Sequence, residues 1–308
     1  MKSEIKKNLF VSIDADDWYF ARWATGAKNS YWSSIDHCLL ECYNSSTPPA
    51  KFETCINQIL SLFDDLKFKS TFFFTGFMAN FYPNLVKKIS NNGHEIACHN
   101  LNHIDYAFVR EDRFKKNLLA SKNLLEDLTG KEIIGYRSPN SSIPSYLSKV
   151  LVECNFLYDS SITPTRKIMG KFGNFTNAPT KPYFTSIEDI SVEGNQSLLE
   201  FPWPTFPILK LPAGSGIMHR IAGSLYNQIA IQNSLRNGYA SYYFHPYEIA
   251  SLPKINIKKT FKVKIFERKI GKVYYNSCKN FLYQNKDLLI NGRDLYNIIN
   301  QRKLNEKN

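Results

Sequence analysis

Two histidines four residues apart, and a run of acidic residues behind an apolar stretch, are the first features of this sequence able to do chemistry. HNLNH places His99 and His103 at i and i+4. On a helical turn that spacing sets both imidazoles on one side, where they can chelate a single ion. Surface or core histidines produce the same spacing without a ligand. SIDADDW carries Asp14, Asp16 and Asp17 directly after an apolar run. In an extended strand Asp14 and Asp16 point to one side and Asp17 to the other. One carboxylate of the pair can complete a facial site with the two histidines while its neighbour stays free as a base. Read alone, the run suits equally well a strand-end turn in which Asp17 caps a helix. YRSPN adds Arg137, whose guanidinium fork can hold a carboxylate, with Pro139 stiffening the loop. FHPYE adds His245 behind another apolar run and ahead of a proline.

The elements that must position these residues alternate. LFVSI, STFFFTG, EIACH and EIIGYR read as strands by their β-branched and aromatic content. Helical periodicity runs over Phe52 to Leu66, with Ile56, Leu60 and Phe63 on one face, over Tyr82 to Asn92 before Gly93, over Glu111 to Leu128 before Gly130, and over Ile143 to Cys154. LLEFPWP and ASYYFHP are later strands, with a helix over about Ile221 to Leu235 between them. A repeating strand–helix order predicts a parallel sheet or (β/α) barrel. In either, chemistry gathers at the C-terminal ends of the strands, so Asp14, Asp16, His99, Arg137 and His245 are expected on one rim. The Pro-, Gly- and Asn-rich stretch from Thr163 to Gln196 is expected to wander over the barrel mouth. The predicted organisation is one catalytic domain over residues 1–250 and a basic, partly helical C-terminal extension over residues 251–308, packed on or flanking the barrel.

Composition narrows the class. Hydrophobic residues make up 43 % and charged residues 21 % of the 308, which suits a folded domain and not a disordered chain. The net charge of +12 is densest from Lys254 to Lys272. Such a run is ordinarily a solvated face; the sharper expectation is peripheral contact with a polyanionic glycan or an anionic membrane surface. No nucleic-acid-binding signature accompanies it. There is no apolar stretch of transmembrane length and no secretory h-region, so a cytoplasmic location is expected. The six cysteines show no paired-ligand spacing and read as reduced thiols.

Taken in order, SIDADDW, GHEIACHNLNH, GYRSPNSSI, YDSSITP and YYFHPYE resemble the motif series of the polysaccharide deacetylases, the NodB-homology or carbohydrate esterase family 4 group. The resemblance runs from about residue 8 to residue 285 and is closest to the branch associated with exopolysaccharide synthesis clusters. It implies a distorted (β/α) barrel and a divalent metal, often zinc, on one carboxylate and two histidines. Carried over residue by residue, Asp14 matches the catalytic base. Asp16 matches the metal carboxylate, displaced by Ala15 from the commoner adjacent pair. His99 and His103 match the metal histidines, Arg137 the arginine that orients the base, and His245 the general acid. Trp18, Tyr136 and Pro139, in the same motifs, are the expected substrate contacts.

The implied reaction removes an N-acyl group, acetyl first, from an amino sugar of a polysaccharide or glycan precursor. Asp14 takes the proton of an attacking water that the metal acidifies, and His245 protonates the departing amine. A deformylase or cyclic-amide hydrolase on the same site, or an inactive carbohydrate-binding protein, are the alternatives. Two departures stand out. The usual Asp-x-x-Asp-Trp motif is absent, with LPAGSGIMHR in its place, which leaves open what tunes His245. Asn140 and Ser141 follow Pro139 where the family has an aromatic residue and glycine.

Overall fold

Alternation along the first strand sets the architecture. In β1 (Asn8–Asp14), Leu9, Val11 and Ile13 face one apolar cluster and Phe10 faces a second. Because side chains alternate with period two, Ser12 and Asp14 share the face of Phe10. β2 (Thr71–Phe74) and β3 (Glu95–Cys98) repeat the division. Phe73 and Ala97 join Phe10, whereas Phe72, Phe74, Ile96 and Cys98 join the larger cluster with the helices. The computed structural model describes residues 6–25, 30–166, 175–207, 209–254 and 258–305. Residues 167–174 of the irregular stretch and residues 255–257 of the basic run lie outside the described residues.

The strands continue as β4 (Gly135–Tyr136), β5 (Tyr158–Asp159), β6 (Tyr183–Phe184) and β7 (Leu199–Glu200). A separate antiparallel ribbon of β8 (Thr205–Phe206) and β9 (Leu211–Pro212) comes next, then β10 (Tyr239–Phe244) and β11 (Leu289–Ile290). The main sheet runs β10-β1-β2-β3-β4-β5-β7-β6, parallel except for β6 against β7. It curls into an incomplete (β/α) barrel. Six helices follow in the first half: α1 (Ile35–Tyr43), α2 (Lys51–Asp65), α3 (Gly76–Phe81), α4 (Pro83–Asn91), α5 (Glu111–Thr129) and α6 (Leu147–Glu153). The second half holds α7 (Gly216–Ala222), α8 (Ser224–Leu235), α9 (Phe261–Phe266), α10 (Lys272–Gln284) and α11 (Gly292–Asn305).

Two boundaries differ from the sequence expectation for local reasons. The helix expected over Ile143 to Cys154 begins only at Leu147: Pro144 disfavours the helical region at Ile143, and the residues after it form a turn in which Leu147 N donates to Pro144 O at 3.1 Å. The helix expected over Ile221 to Leu235 is two helices, broken at Gly223, whose φ of 98° an L side chain rarely adopts. Within residues 251–308, β11 pairs with β1 (Leu9 with Leu289, Phe10 with Ile290), below the point where β2 joins β1 at Ser12. Gly292 N then donates to Thr71 Oγ1 at 2.8 Å, and Arg293 N to Glu95 Oε2 at 2.9 Å.

Beneath the rim lies a pair of wholly buried carboxyl groups, Asp159 on β5 and Glu200 on β7, directly paired across the ladder. Asp159 accepts from Ser161 Oγ at 2.6 Å and Glu200 from Ile162 N at 2.9 Å. Burial, and for Glu200 also the neighbouring Asp159 carboxylate, hold both above the usual carboxylate range. The folded protein therefore keeps a proton here that the unfolded chain releases, so stability present at acid pH is lost as pH rises past the ordinary carboxylate range. Glu200→Gln carries that hydrogen permanently. Its stability advantage over the wild type should widen by up to about 1.4 kcal/mol per pH unit above that range. Denaturant melts between mildly acid and mildly alkaline pH measure this; a gap independent of pH would show that the pair is not protonated.

Candidate active site

Four parallel strands deliver the site from their C-terminal ends. Asp14 is the last residue of β1, His99 follows β3, Arg137 follows β4 and His245 follows β10. Backbone bonds extend the ladders just far enough to place them: Ala15 N donates to Phe73 O at 2.8 Å, His99 N to Phe74 O at 2.8 Å and Arg137 N to Cys98 O at 3.0 Å.

His99 and His103 do not sit on a helical turn. The chain between them is a loop turned by Asn100, which has φ of 62°. Asn tolerates that left-handed conformation because its side chain bonds locally. Here its Oδ1 accepts from Leu101 N at 2.8 Å and its Nδ2 donates to Tyr136 Oη at 3.3 Å. The rings still converge, 5.3 Å apart between centroids. Asp16 likewise lies two residues beyond the end of β1, yet it points into the same place. Its Oδ2 is 3.0 Å from His103 Nε2 and 3.9 Å from His99 Nε2.

One ligand atom from each of Asp16, His99 and His103 falls within 4.8 Å of the others. Donors about 2.1 Å from a tetrahedral ion stand roughly 3.4 Å apart, so the donor set fits a divalent cation. His99 supports the fit independently: its Nδ1 lies 2.7 Å from the Arg137 carbonyl, which fixes the proton on Nδ1 and leaves the Nε2 lone pair for a ligand. Burial, then the neighbouring His103, pushes His99 down to about 3, so it is a neutral imidazole. Asp17 is not in this cluster. It caps the short 3-10 turn Trp18–Phe20, accepting from Trp18 N at 2.7 Å, and burial pushes its carboxyl up to about 7.

Asp14 and Arg137 form the second part. Arg137 Nη1 donates to Asp14 Oδ1 at 2.5 Å and to Ser12 Oγ at 2.9 Å. Its other nitrogens bond Ser160, Nε to the carbonyl at 3.0 Å and Nη2 to Oγ at 3.0 Å. The guanidinium also stacks over Phe73, 4.1 Å from the ring centroid. A fully tied arginine leaves Asp14 one orientation.

His245 is the most exposed member, its side chain 17 % accessible against 1–8 % for the others. Its Nε2 stands 3.8 Å from Asp16 Oδ1, and its Nδ1 lies 3.2 Å from Glu248 Oε2. Glu248 also accepts from His245 N at 2.9 Å and from Arg220 Nε at 2.8 Å. Burial alone would raise the Glu248 carboxyl, but Arg220 and the His245 hydrogen bond pull it down to about 2. Burial likewise lowers His245, yet Asp16 and Glu248 outweigh it and raise the imidazole to about 9. A cation on Asp16 would cancel much of that residue's field, which leaves Glu248 as the group that keeps the proton on Nδ1.

Glu248 and Arg220 therefore occupy the role left open by the absent motif, and sequence reading did not find them. A signal was present: Pro246 and Glu248 at the first and third positions after His245 read as a helix start. Gly216, in the segment that replaces the absent motif, makes room for the pair, because a Cβ there would stand 2.2 Å from Glu248 Oε2. The expected substrate contacts fare differently. Trp18 is 2 % exposed within an aromatic cluster including Trp23 and Trp32, and Tyr136 is 0 % exposed against Phe114 and Phe156. Both rings are buried and spend their area on core packing. Pro139 is buried at the start of the 3-10 turn Pro139–Ser141, where Asn140 takes φ of 56°.

Comparison with known proteins adds a family. The polysaccharide deacetylase family profile matches residues 41–158, a span that holds His99, His103 and Arg137 but not Asp14, Asp16 or His245. A peptidoglycan-N-acetylglucosamine deacetylase of Bacillus cereus is 28 % identical over 156 residues, 50 % of this chain and 56 % of its own length. The chain thus matches 38–56 % of the length of three curated relatives. A Mycobacterium smegmatis protein assigned to the polysaccharide deacetylases superposes with a TM-score of 0.63 at 17 % identity, covering 98 % of this chain and 93 % of that one. The allantoinase PuuE superposes with a TM-score of 0.56 at 16 % identity, covering 80 % and 74 %. At such identities the two structures speak for the fold alone.

Proposed function

We propose that this chain, which belongs to the polysaccharide deacetylase family, is a divalent-metal-dependent hydrolase that removes an N-acyl group, acetyl in the first instance, from an amino sugar of a glycan or glycan precursor. One observation carries the reading. The metal-ligand cluster Asp16, His99 and His103 is flanked by an arginine-held carboxylate, Asp14, and a carboxylate-held imidazole, His245. Amide hydrolysis needs a proton taken from water and a proton given to the amine. A binding site needs neither.

When bound, the cation, for which zinc suits a donor set of two imidazoles and one carboxylate, polarises the acyl carbonyl and acidifies water. The rest falls to the chain. Asp14, oriented by Arg137, accepts the proton of the attacking water. His245, the group nearest solvent, hands the proton on its Nε2 to the departing nitrogen, while Glu248 holds Nδ1–H and the ring plane. Arg220 keeps Glu248 ionised and in place.

The test is acetate release across N-acetyl sugars carried on nucleotides, lipids and polymers, with metal content measured on the same preparations. Wild-type protein should hold about one divalent ion per chain and deacetylate at least one class. Asp16→Ala should lose the ion. Asp17→Ala should keep it, with a cap loss of roughly 0.5–2 kcal/mol in stability. The reverse pattern would mean that Asp17 is the ligand. Release confined to formyl amines or cyclic amides reassigns the substrate, and full metal with bound sugar but no acyl release from any compound overturns the hydrolase.

A further inference from the structure

Between Lys254 and Lys272 the chain carries eight Lys or Arg and one acid, a net of +7 out of the chain's +12. The acid is neutralised locally, since Glu267 pairs with Lys259 at 2.7 Å. Lys262, Lys264, Arg268, Lys269 and Lys272 are exposed and make no ion pair among the described residues. The segment is held from beneath. Val263 and Phe266 are buried under α9, Phe266 packs on Trp23 at 5.9 Å, and Tyr31 Oη bonds both Lys258 O at 2.7 Å and Thr260 N at 3.1 Å. On the outer side of this anchored helix Phe261 stands 77 % exposed among the lysines.

We infer that the outer surface of α9 and the turn after it docks on an anionic lipid membrane, with Phe261 entering the headgroup region. Lysines alone would serve any polyanion. A large apolar side chain projecting among them fits an interface that offers negative charge outside and hydrocarbon within. No described helix is long and apolar enough to cross a membrane, so the contact is peripheral. It also lies close to the candidate site. His245 stacks on Tyr247 at 5.0 Å, and Tyr247 on Phe266 at 6.2 Å. Phe261 is five residues before Phe266, about 7.5 Å of helix rise. If the hydrolase reading holds, which the docking itself does not require, this proximity favours amino sugars presented at a membrane surface.

Co-sedimentation of the full chain with phosphatidylcholine vesicles, with and without phosphatidylglycerol, tests the docking without any turnover. A dead hydrolase that docks and a live one that does not are thus distinguishable. Wild-type protein should bind the anionic vesicles at least tenfold better than the neutral ones, and less well as salt rises. Each surface lysine is worth about fivefold, so Lys262→Gln with Lys264→Gln should cost roughly 25-fold. Phe261→Ser should weaken binding even at low salt. Equal binding to both vesicles, or unchanged binding by the double lysine variant, overturns the proposal. So does a chain that binds soluble heparin through the lysines, ignores vesicles and is indifferent to Phe261→Ser; that result makes the partner a polyanion.

Discussion

Asp14→Asn should keep the metal, keep the fold and lose about 100- to 10,000-fold in turnover. The reasoning rests on what the substitution leaves untouched. Asn presents an Oδ1 in the place of the carboxylate oxygen, so Arg137 Nη1 retains an acceptor where it now donates at 2.5 Å. Asp16, His99 and His103 form the ligand cluster without Asp14. Only proton acceptance disappears, since an amide is not protonated near neutral pH. Substrate affinity should therefore stay near the wild-type value while kcat falls. Steady-state kinetics with metal analysis on the same sample measures both. If the variant hydrolyses as fast as the wild type, the base lies elsewhere, and Asp17, which burial holds near pH 7, is the next residue to substitute.

His245→Ala should separate amide from ester chemistry. An amine leaves poorly unless it is protonated, whereas an activated phenol ester leaves well as the anion. The loss should be about 100- to 10,000-fold on N-acetyl substrates and much smaller on an activated acetate ester. Glu248 survives the change, because Arg220 Nε and the backbone N of residue 245 still donate to it. Glu248→Gln is a worse probe of the same idea. It strips the counter-charge from Arg220, whose side chain is 0 % accessible, and an unpaired buried charge costs about 3–5 kcal/mol in stability. Equal losses on amide and ester would show that His245 acts before the leaving group departs.

Much of the frame was legible because it rests on local rules. The period-two alternation in SIDAD, the Gly stops after α4 and α5 and the strand–helix order are readable one element at a time. The rim positions of Asp14, His99, Arg137 and His245 follow from them. The details that differ turn on single residues off the regular elements and on contacts between distant parts of the chain. Strand alternation points to Asp16, which lies beyond the strand and is placed by the turn into the Asp17 cap. The spacing of the histidine pair predicts a helical turn, but the turn is made by one left-handed Asn. Glu248 meets Arg220 across 28 residues, and no periodicity reports a contact of that kind. Trp18 and Tyr136 stand inside motifs, which suggests ligand contact, whereas their rings pack in the core.

The strand that carries Asp14 has a delayed neighbour. β11 meets β1 through Leu289 and Leu9, so that ladder cannot close until residues about 280 positions later have emerged. At synthesis rates of about 5–20 residues per second, the wait is roughly 14 to 56 s. Throughout it the backbone groups of Leu9 and Phe10 on that side have no strand to pair with, an open edge of the kind that recruits other chains. So long-range a pairing also slows refolding, since the loop must be closed before the contacts repay it. The nascent protein is therefore exposed to misassembly at the strand that carries Asp14, and a chaperone that shields this edge until β11 arrives would raise the yield of folded protein without changing the stability of the finished fold.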